Sequence, residues 1–267
     1  MNIGFTKMHG LGNDFVVIDN MNGRIKLSTE QIVFLCDRHK GIGGDAVILV
    51  ESSSTADCFM NYINNDGTSA EMCGNGVRCV AKFFKEEILP KKNSQTSFKI
   101  DTRAGIKNIE LLDDGTFSVN MGKPIFSSID FPDKSLELEG FLYHFVSIGN
   151  PHAVAFVEDL DTYDLLTLGP KIENNYNFPN KINNHLAEKI NNKEYKMRVF
   201  ERACGITLAS GTAASAVYAT ARKHQNAEKE ITIQMPGGKL CMSENAEGDI
   251  IMRGPAESVY GGMIEVR

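Results

Sequence analysis

Apolar residues fall in short runs bounded by glycine, asparagine or proline, the pattern of strands rather than of long helices. In the first half, residues 15–18, 46–50, 59–63, 97–102, 106–111 and 117–121 read as strands. Asn64-Asn65-Asp66-Gly67 and Asp113-Asp114-Gly115 supply turns between them. In the second half the strands are 141–148, 153–157, 186–190, 196–200, 231–235, 239–243, 250–253 and 259–266. Residues 90–94 and 178–184 read as loops, and the glycines of residues 5–14 break that segment ahead of the first strand.

The apolar period changes to a helical one in four places. Ser28 with Gln31 predicts a capping box that opens a helix through Ile32, Leu35 and Cys36 to His39. Cys73-Gly74 leads into Val77, Val80, Ala81, Phe83 and Phe84, a helix to about Glu87. Asp164 starts a short helix through Leu168. Ser210-Gly211 leads into Ala213, Ala214, Ala216, Val217 and Ala221, a helix to about His224 whose small side chains let strands approach on all sides. Each half therefore reads as several short strands around one buried helix, with a boundary near Thr116.

At 267 residues the chain is comfortable for two domains of about 130 each. A net charge of −6 argues against a nucleic-acid partner, which needs a basic footprint. No apolar run approaches the roughly 20 residues that span a bilayer, and Met1 to Lys7 lacks signal-peptide anatomy, so a cytoplasmic protein without a membrane partner is expected. The six cysteines (36, 58, 73, 79, 204 and 241) form no CxxC or zinc-like pair, and no metal site or disulfide framework is expected. Gly41-Ile42-Gly43-Gly44-Asp45 is glycine-rich, but it runs from loop to strand, the reverse of a dinucleotide fingerprint.

The candidate chemistry lies at two helix starts. Cys73 and Ser210 each stand one residue before a glycine that opens an apolar helix. Backbone N–H groups at such a start carry partial positive charge and attract anions. A thiol placed there gives up its proton more readily than a free one. Two such units suggest two halves that face one anionic small-molecule substrate.

Taken together, Met8-His9-Gly10-Leu11-Gly12-Asn13-Asp14-Phe15, Asn64-Asn65-Asp66-Gly67, Cys73-Gly74-Asn75-Gly76-Val77-Arg78-Cys79, Gly149-Asn150-Pro151-His152, Asn183, and Glu201-Arg202 with Thr207-Leu208-Ala209-Ser210-Gly211-Thr212 resemble the diaminopimelate epimerase family. The resemblance runs in order over nearly the whole chain. It implies an α+β fold of two similar domains, each a mixed β-barrel wrapped around a central helix, with the active site in the cleft between them. The domains would be 1–116 plus a C-terminal strand at about 256–267, and 117–255. It implies a homodimer, and inversion of the diaminopimelate α-carbon with no cofactor, in lysine and peptidoglycan precursor synthesis. Such an inversion needs a base on one face and an acid on the other, and a thiol suits either role.

By the same resemblance, Cys73 and the residue at position 210 are the catalytic pair. Gly74, Asn75, Gly211 and Thr212 hold the α-carboxylate through backbone N–H groups. Asn13, Asn64, Asn150 and Asn183 bind the distal amino-acid end, and Arg202 pairs with the distal carboxylate, where a planar fork suits better than Lys. His152 and Glu201 contact the α-amino group or manage thiol protonation. Asn64 also reads as a plain turn residue.

The chain departs from the family at Ser210, where a second cysteine is expected. A hydroxyl is a far weaker acid than a thiol, so a two-base reaction should be impaired. Three readings stay open: a Cys→Ser replacement in this chain, a relative with a one-base reaction such as an elimination, or a family member in which Cys204 or water substitutes. A racemase or dehydratase of another amino acid on the same fold is the alternative activity. Cys204 reads as a packing residue, and Cys79 as buried filler. Ala46, Ala203 and Ala213 stand where the family has a glutamine and two glycines.

Overall fold

The computed structural model describes residues 1–90 and 92–267; of the 90–94 loop, Lys91 lies outside the described residues. The chain divides into two compact units, Met1–Val119 with Gly254–Arg267, and Asn120–Arg253.

In the first unit, β1 (Asn2–Gly10) runs antiparallel to both β2 (Asn13–Asn20) and β17 (Glu257–Glu265). Next, β2 pairs parallel with β3 (Ala46–Glu51), and β3 pairs antiparallel with β4 (Cys58–Asn64). β4 then pairs parallel with β5 (Ser97–Asp101), which continues antiparallel into β6 (Lys107–Leu111) and β7 (Phe117–Gly122). The mixed sheet wraps α2 (Gly74–Phe83), which packs against β1 to β6 and β17. Every α2 residue except Lys82 is buried, the polar Asn75 and Arg78 included, so the helix lies inside its own sheet. It passes into one π-helical turn at Phe84–Ile88. On the outer side, α1 (Thr29–Cys36) lays Ile32 and Leu35 on Val16, Ile18, Val47 and Leu49. Its capping box is formed as the spacing predicts. The helix stops at Cys36 rather than His39, because Asp37 turns extended and closes the end on Phe34.

The second unit repeats this grammar. Its strands are β8 (Leu136–Leu138), β9 (Phe141–Ser147), β10 (Pro151–Val157), β11 (Asn183–Asn191), β12 (Glu194–Glu201), β13 (Gly205–Thr207), β14 (Ile231–Met235), β15 (Gly238–Glu244) and β16 (Ile250–Gly254). The parallel pairs are β10 with β11 and β12 with β14, matching β2–β3 and β4–β5. Inside lies α4 (Gly211–His224), against β9, β10, β11, β14 and β15. Its buried hydroxyls bond back one turn, Ser215 to Gly211 O and Thr220 to Ala216 O, each at 2.8 Å, so neither is left unsatisfied. Outside, α3 (Leu165–Glu173) covers Tyr143, Phe145, Leu186 and Phe200. Gly169 is required there, since a Cβ would lie 2.2 Å from the Phe200 ring.

Three further sequence expectations change. Residues 2–10 form the full strand β1, because pairing on both edges overrides the glycines. Asn183 and Asn184 open β11 instead of closing a loop, since they pair with His152 and Ala153 of β10. Cys204 is exposed in a turn where Ala203 (φ 64°) and Gly205 (φ 81°) are both left-handed, so it is no packing residue. Cys79 is fully buried. Among the described residues no helix is long and apolar enough to cross a membrane.

Candidate active site

The two inner helices begin alike. Cys73 caps α2 with φ −134° and ψ 119°, and its Sγ accepts the Gly76 N–H at 3.4 Å. Ser210 caps α4 with φ −144° and ψ 126°, and its Oγ accepts the Ala213 N–H at 3.4 Å. Both are the N-cap arrangement, a side-chain acceptor satisfying a first-turn donor. The first-turn N–H groups of Gly74 and Asn75, and of Gly211 and Thr212, have no acceptor within their own helix. Each start is thus a cradle for an anion beside a polar side chain.

Around Cys73 the sequence places a tight polar cluster. The Cys73 thiol donates to Asn13 Oδ1 at 3.4 Å, and Asn75 Nδ2 donates to the same oxygen at 3.3 Å. Asn13 in turn donates to Asp45 Oδ2 at 2.7 Å. Arg78, fully buried, donates to Asn75 Oδ1 (2.9 Å), Gly74 O (3.2 Å) and Pro255 O (3.0 Å). Burial pulls its guanidinium down to about 10, still charged at neutral pH. Asn64 ends β4 opposite Ala46, its amide donating to Thr68 Oγ1 within its own turn at 3.0 Å.

Below Asn13 lies an ion network. Asp14 takes both Arg38 guanidinium nitrogens, at 2.9 and 2.7 Å, and the Lys7 ammonium, which also reaches Gly43 O. Burial would raise the Asp14 carboxyl; its bonds to Arg38 and Lys7 outweigh that and hold it at about 2. The folded value lies below the unfolded one, so this carboxylate stabilises the fold fully above about pH 4 and loses its contribution as pH falls toward 2. The difference amounts to about 2 kcal/mol. Urea unfolding at a series of pH values should show this increment in the parent and lack it in Asp14→Asn; equal pH slopes in the two would refute it.

In the second unit, Ser210 donates to Glu201 Oε2 at 3.1 Å, and Thr207 donates to Oε1 at 2.7 Å. Thr212 Oγ1 lies 3.4 Å from Ser210 Oγ. A second cluster forms where β10 meets β11. His152 lies between Asn150 Oδ1 (2.9 Å from Nε2) and His185 Nε2 (2.8 Å from Nδ1). With the Asn150 oxygen as acceptor, Nε2 of His152 carries the hydrogen and Nδ1 accepts from His185. Burial holds both rings neutral, His152 well below its ordinary value and His185 down to about 3. Asn183 donates to Pro151 O at 2.8 Å and accepts the Arg202 N–H at 2.9 Å, and Arg202 Nη1 donates to Asn180 O at 3.0 Å.

Within the first unit, then, hydrogen bonds join Asn13, Cys73 and Asn75, while the Asn64 amide bonds within its own turn. Within the second, Glu201, Ser210 and Thr212 meet, beside the Asn150–His152 and Asn183–Arg202 pairs. Sequence reasoning missed Asp45, Arg78, His185 and Thr207. Asp45 had a signal, since it ends the glycine-rich loop, and Arg78 had one in its place within the Cys73–Cys79 motif; His185 had none, because a buried ring side chain looks like a surface one in sequence.

The family described as diaminopimelate epimerase matches residues 5–127 and 144–259. The diaminopimelate epimerase of Teredinibacter turnerae is 38% identical over 279 residues, covering 100% of both chains. That of Legionella pneumophila is 41% identical, covering 99% of each, and that of Trichodesmium erythraeum is 42% identical, covering 99% of this chain and 100% of the relative. Among solved structures, a Bacillus anthracis phenazine biosynthesis protein of the PhzF family superposes with TM-score 0.75 at 19% identity over 100% of both chains. A probable proline racemase of Agrobacterium radiobacter, with bound carbonate, does so with TM-score 0.74 at 13% identity over 99% of this chain and 93% of that one. At such identities these two share the fold.

Proposed function

The chain belongs to the diaminopimelate epimerase family, and from that premise we propose that it inverts an α-carbon of diaminopimelate without a cofactor, interconverting the LL and meso forms for lysine and peptidoglycan precursor synthesis. The observation that carries the reading is the matched pair of N-caps, each holding an Sγ or Oγ beside the open start of a buried helix.

In this reading the residues at 73 and 210 serve opposite faces of one α-carbon. One takes the α-proton while the other returns a proton, and the electron pair passes through an enolate-like carboxylate. The N–H groups of Gly74, Asn75, Gly211 and Thr212 stabilise that developing charge where it forms. Arg202 offers its fork to the distal carboxylate, with Asn13, Asn64, Asn150 and Asn183 around the distal end. His152, neutral with both nitrogens engaged, acts by fixing Asn150. Glu201, bonded to Ser210, governs the proton at that position.

With Ser210 in place, the 210-side transfer is the weak step. The test is deuterium uptake at the α-carbon of diaminopimelate in heavy water by Ser210→Cys, with Cys73→Ala added to the same chain as control. Uptake with inversion that the control abolishes supports the reading. If Ser210→Cys neither exchanges nor inverts, the reaction is wrong, and a proline- or histidine-type substrate becomes the next candidate.

A cytoplasmic homodimer completes the proposal. Val259, Tyr260 and Met263 on β17 expose 56%, 48% and 70% of their surface, apolar side chains on both faces of a strand suited to a second copy. Sedimentation should give a dimer that Tyr260→Asp converts to monomer; a monomeric parent removes this part.

A further inference from the structure

Four side chains near the start of α2 form a hydrogen-bond chain with a single direction. Arg78 donates to Asn75 Oδ1, Asn75 Nδ2 to Asn13 Oδ1, and Asn13 Nδ2 to Asp45 Oδ2, at 2.9, 3.3 and 2.7 Å. A guanidinium only donates and an ionised carboxylate only accepts, so the two ends fix both amides between them. Asn13 is left presenting its oxygen, not its NH₂, to Cys73, and the thiol donates to that oxygen at 3.4 Å. A bond to an amide oxygen favours the thiol; a bond from an amide N–H would favour the thiolate.

We propose that Asp45 sets which face Asn13 presents, and so holds Cys73 as the proton-bearing thiol in the resting enzyme. Asp45 is a positioning residue: it touches Asn13, and Asn13 touches the sulfur. The role deepens the reading of Cys73 as an acid–base group and rests on it. Thiol ionisation is measured without substrate, however, so the failure of one is distinguishable from the failure of the other.

The other groups around this helix start do not duplicate the effect. On α2 itself, Arg78 and the Gly76 N–H favour the thiolate, while Cys79 is buried and burial pushes it up to about 12. On β1 and β2, Lys7 and Asp14 are paired with each other, and Arg38 bridges Asp14 (2.7 Å) and Asp45 (2.8 Å), so both Asp45 variants release the same cation. Tyr62 of β4 lies over Gly76. Glu257 of β17 lies 3.6 Å from His9 of β1. The buried positions of β3, β5 and β6 are apolar, with Ile48, Phe98, Ile100 and Ile109 among them.

The experiment is the pH dependence of iodoacetamide modification at Cys73 in the full chain, read by peptide mass spectrometry so that the exposed Cys204 does not contribute. In Asp45→Asn the amide oxygen takes the place of Oδ2, where the Asp14 N–H at 3.2 Å and Asn13 Nδ2 at 2.7 Å both need an acceptor, so Asn13 keeps its oxygen toward the sulfur. Asp45→Ala removes the same charge and the acceptor with it, so Asn13 is free to turn and offer N–H to the sulfur. The midpoint should fall by about one pH unit in Asp45→Ala and by less than half as much in Asp45→Asn. Equal shifts would mean that charge alone acts, and equal shifts, no shift or the reverse order overturn the proposal. Modification of the buried Cys58 and Cys79 reports loss of fold. Should Asp45→Ala show it, Asn13→Ala replaces it as the comparison: its midpoint also falls if the amide oxygen holds the thiol, and an unchanged midpoint overturns the proposal.

Discussion

Replacing Ser210 by Cys is expected to raise the rate of diaminopimelate inversion by about 10²–10⁴-fold, the range one positioned general acid or base contributes. The reason lies in the ionisation of the group at the α4 N-cap. A thiol ordinarily ionises near pH 8.5, so a fraction is thiolate at neutral pH; a serine hydroxyl has no comparable anion in that range. The cap itself should survive the exchange, because Cys73 shows that a sulfur accepts a first-turn N–H in the same backbone conformation. Glu201 would then stand beside a thiol, able to accept from it and to oppose a thiolate. The rate should therefore rise with pH until the new thiol is ionised, a limb the parent lacks. Steady-state inversion of LL-diaminopimelate, followed by chiral chromatography across pH, reads both effects. An unchanged rate with unchanged ligand binding would instead mark a chain that binds without turnover.

The second large effect is on stability. Arg78→Leu is expected to cost about 3–5 kcal/mol, because several buried neutral acceptors lose their donor at once. The side chain is fully buried and serves Gly74 O, Asn75 Oδ1 and Pro255 O, and all three acceptors stay behind when the guanidinium leaves. Leaving them unpaired costs about 1–3 kcal/mol each, softened where water enters. Leucine fills part of the volume but supplies no donor. At roughly 2–4 °C per kcal/mol, calorimetry should show a melting transition lower by on the order of 10 °C. A shift of a degree or two would mean that water substitutes for the guanidinium and that the network is not what seats α2.

The helix starts were legible in sequence because an N-cap is local. Ser28, Cys73, Asp164 and Ser210 each accept a backbone N–H two or three residues ahead, and that geometry needs no tertiary partner. Strand β1 was not legible, since its glycines and charges become strand only when β2 and β17 flank them. The Asn183-Asn184 pair misled for the same reason: asparagines look like turn residues until a neighbouring strand claims their backbone. The candidate site divides along this line too. Cys73, Asn75, Ser210 and Thr212 announce themselves beside glycines at helix starts. The groups that orient them do not, because Asp45 and His185 act through contacts 32 and 33 residues away in sequence, and Arg78, though three residues from Asn75, is seated by Pro255 O 177 residues away.

The pairing of β1 with β17 bears on the order in which the protein can assemble. The second unit is one continuous segment, 120–253, whereas the first is closed by residues 254–267. The later half can therefore fold to completion before the earlier one. Until Pro255 arrives, the Arg78 guanidinium lacks one of its acceptors and β1 has an open edge. Released chains truncated just short of that point would hold an aggregation-prone, unsealed first half and a finished second, which makes β17 the latch of assembly as well as of structure.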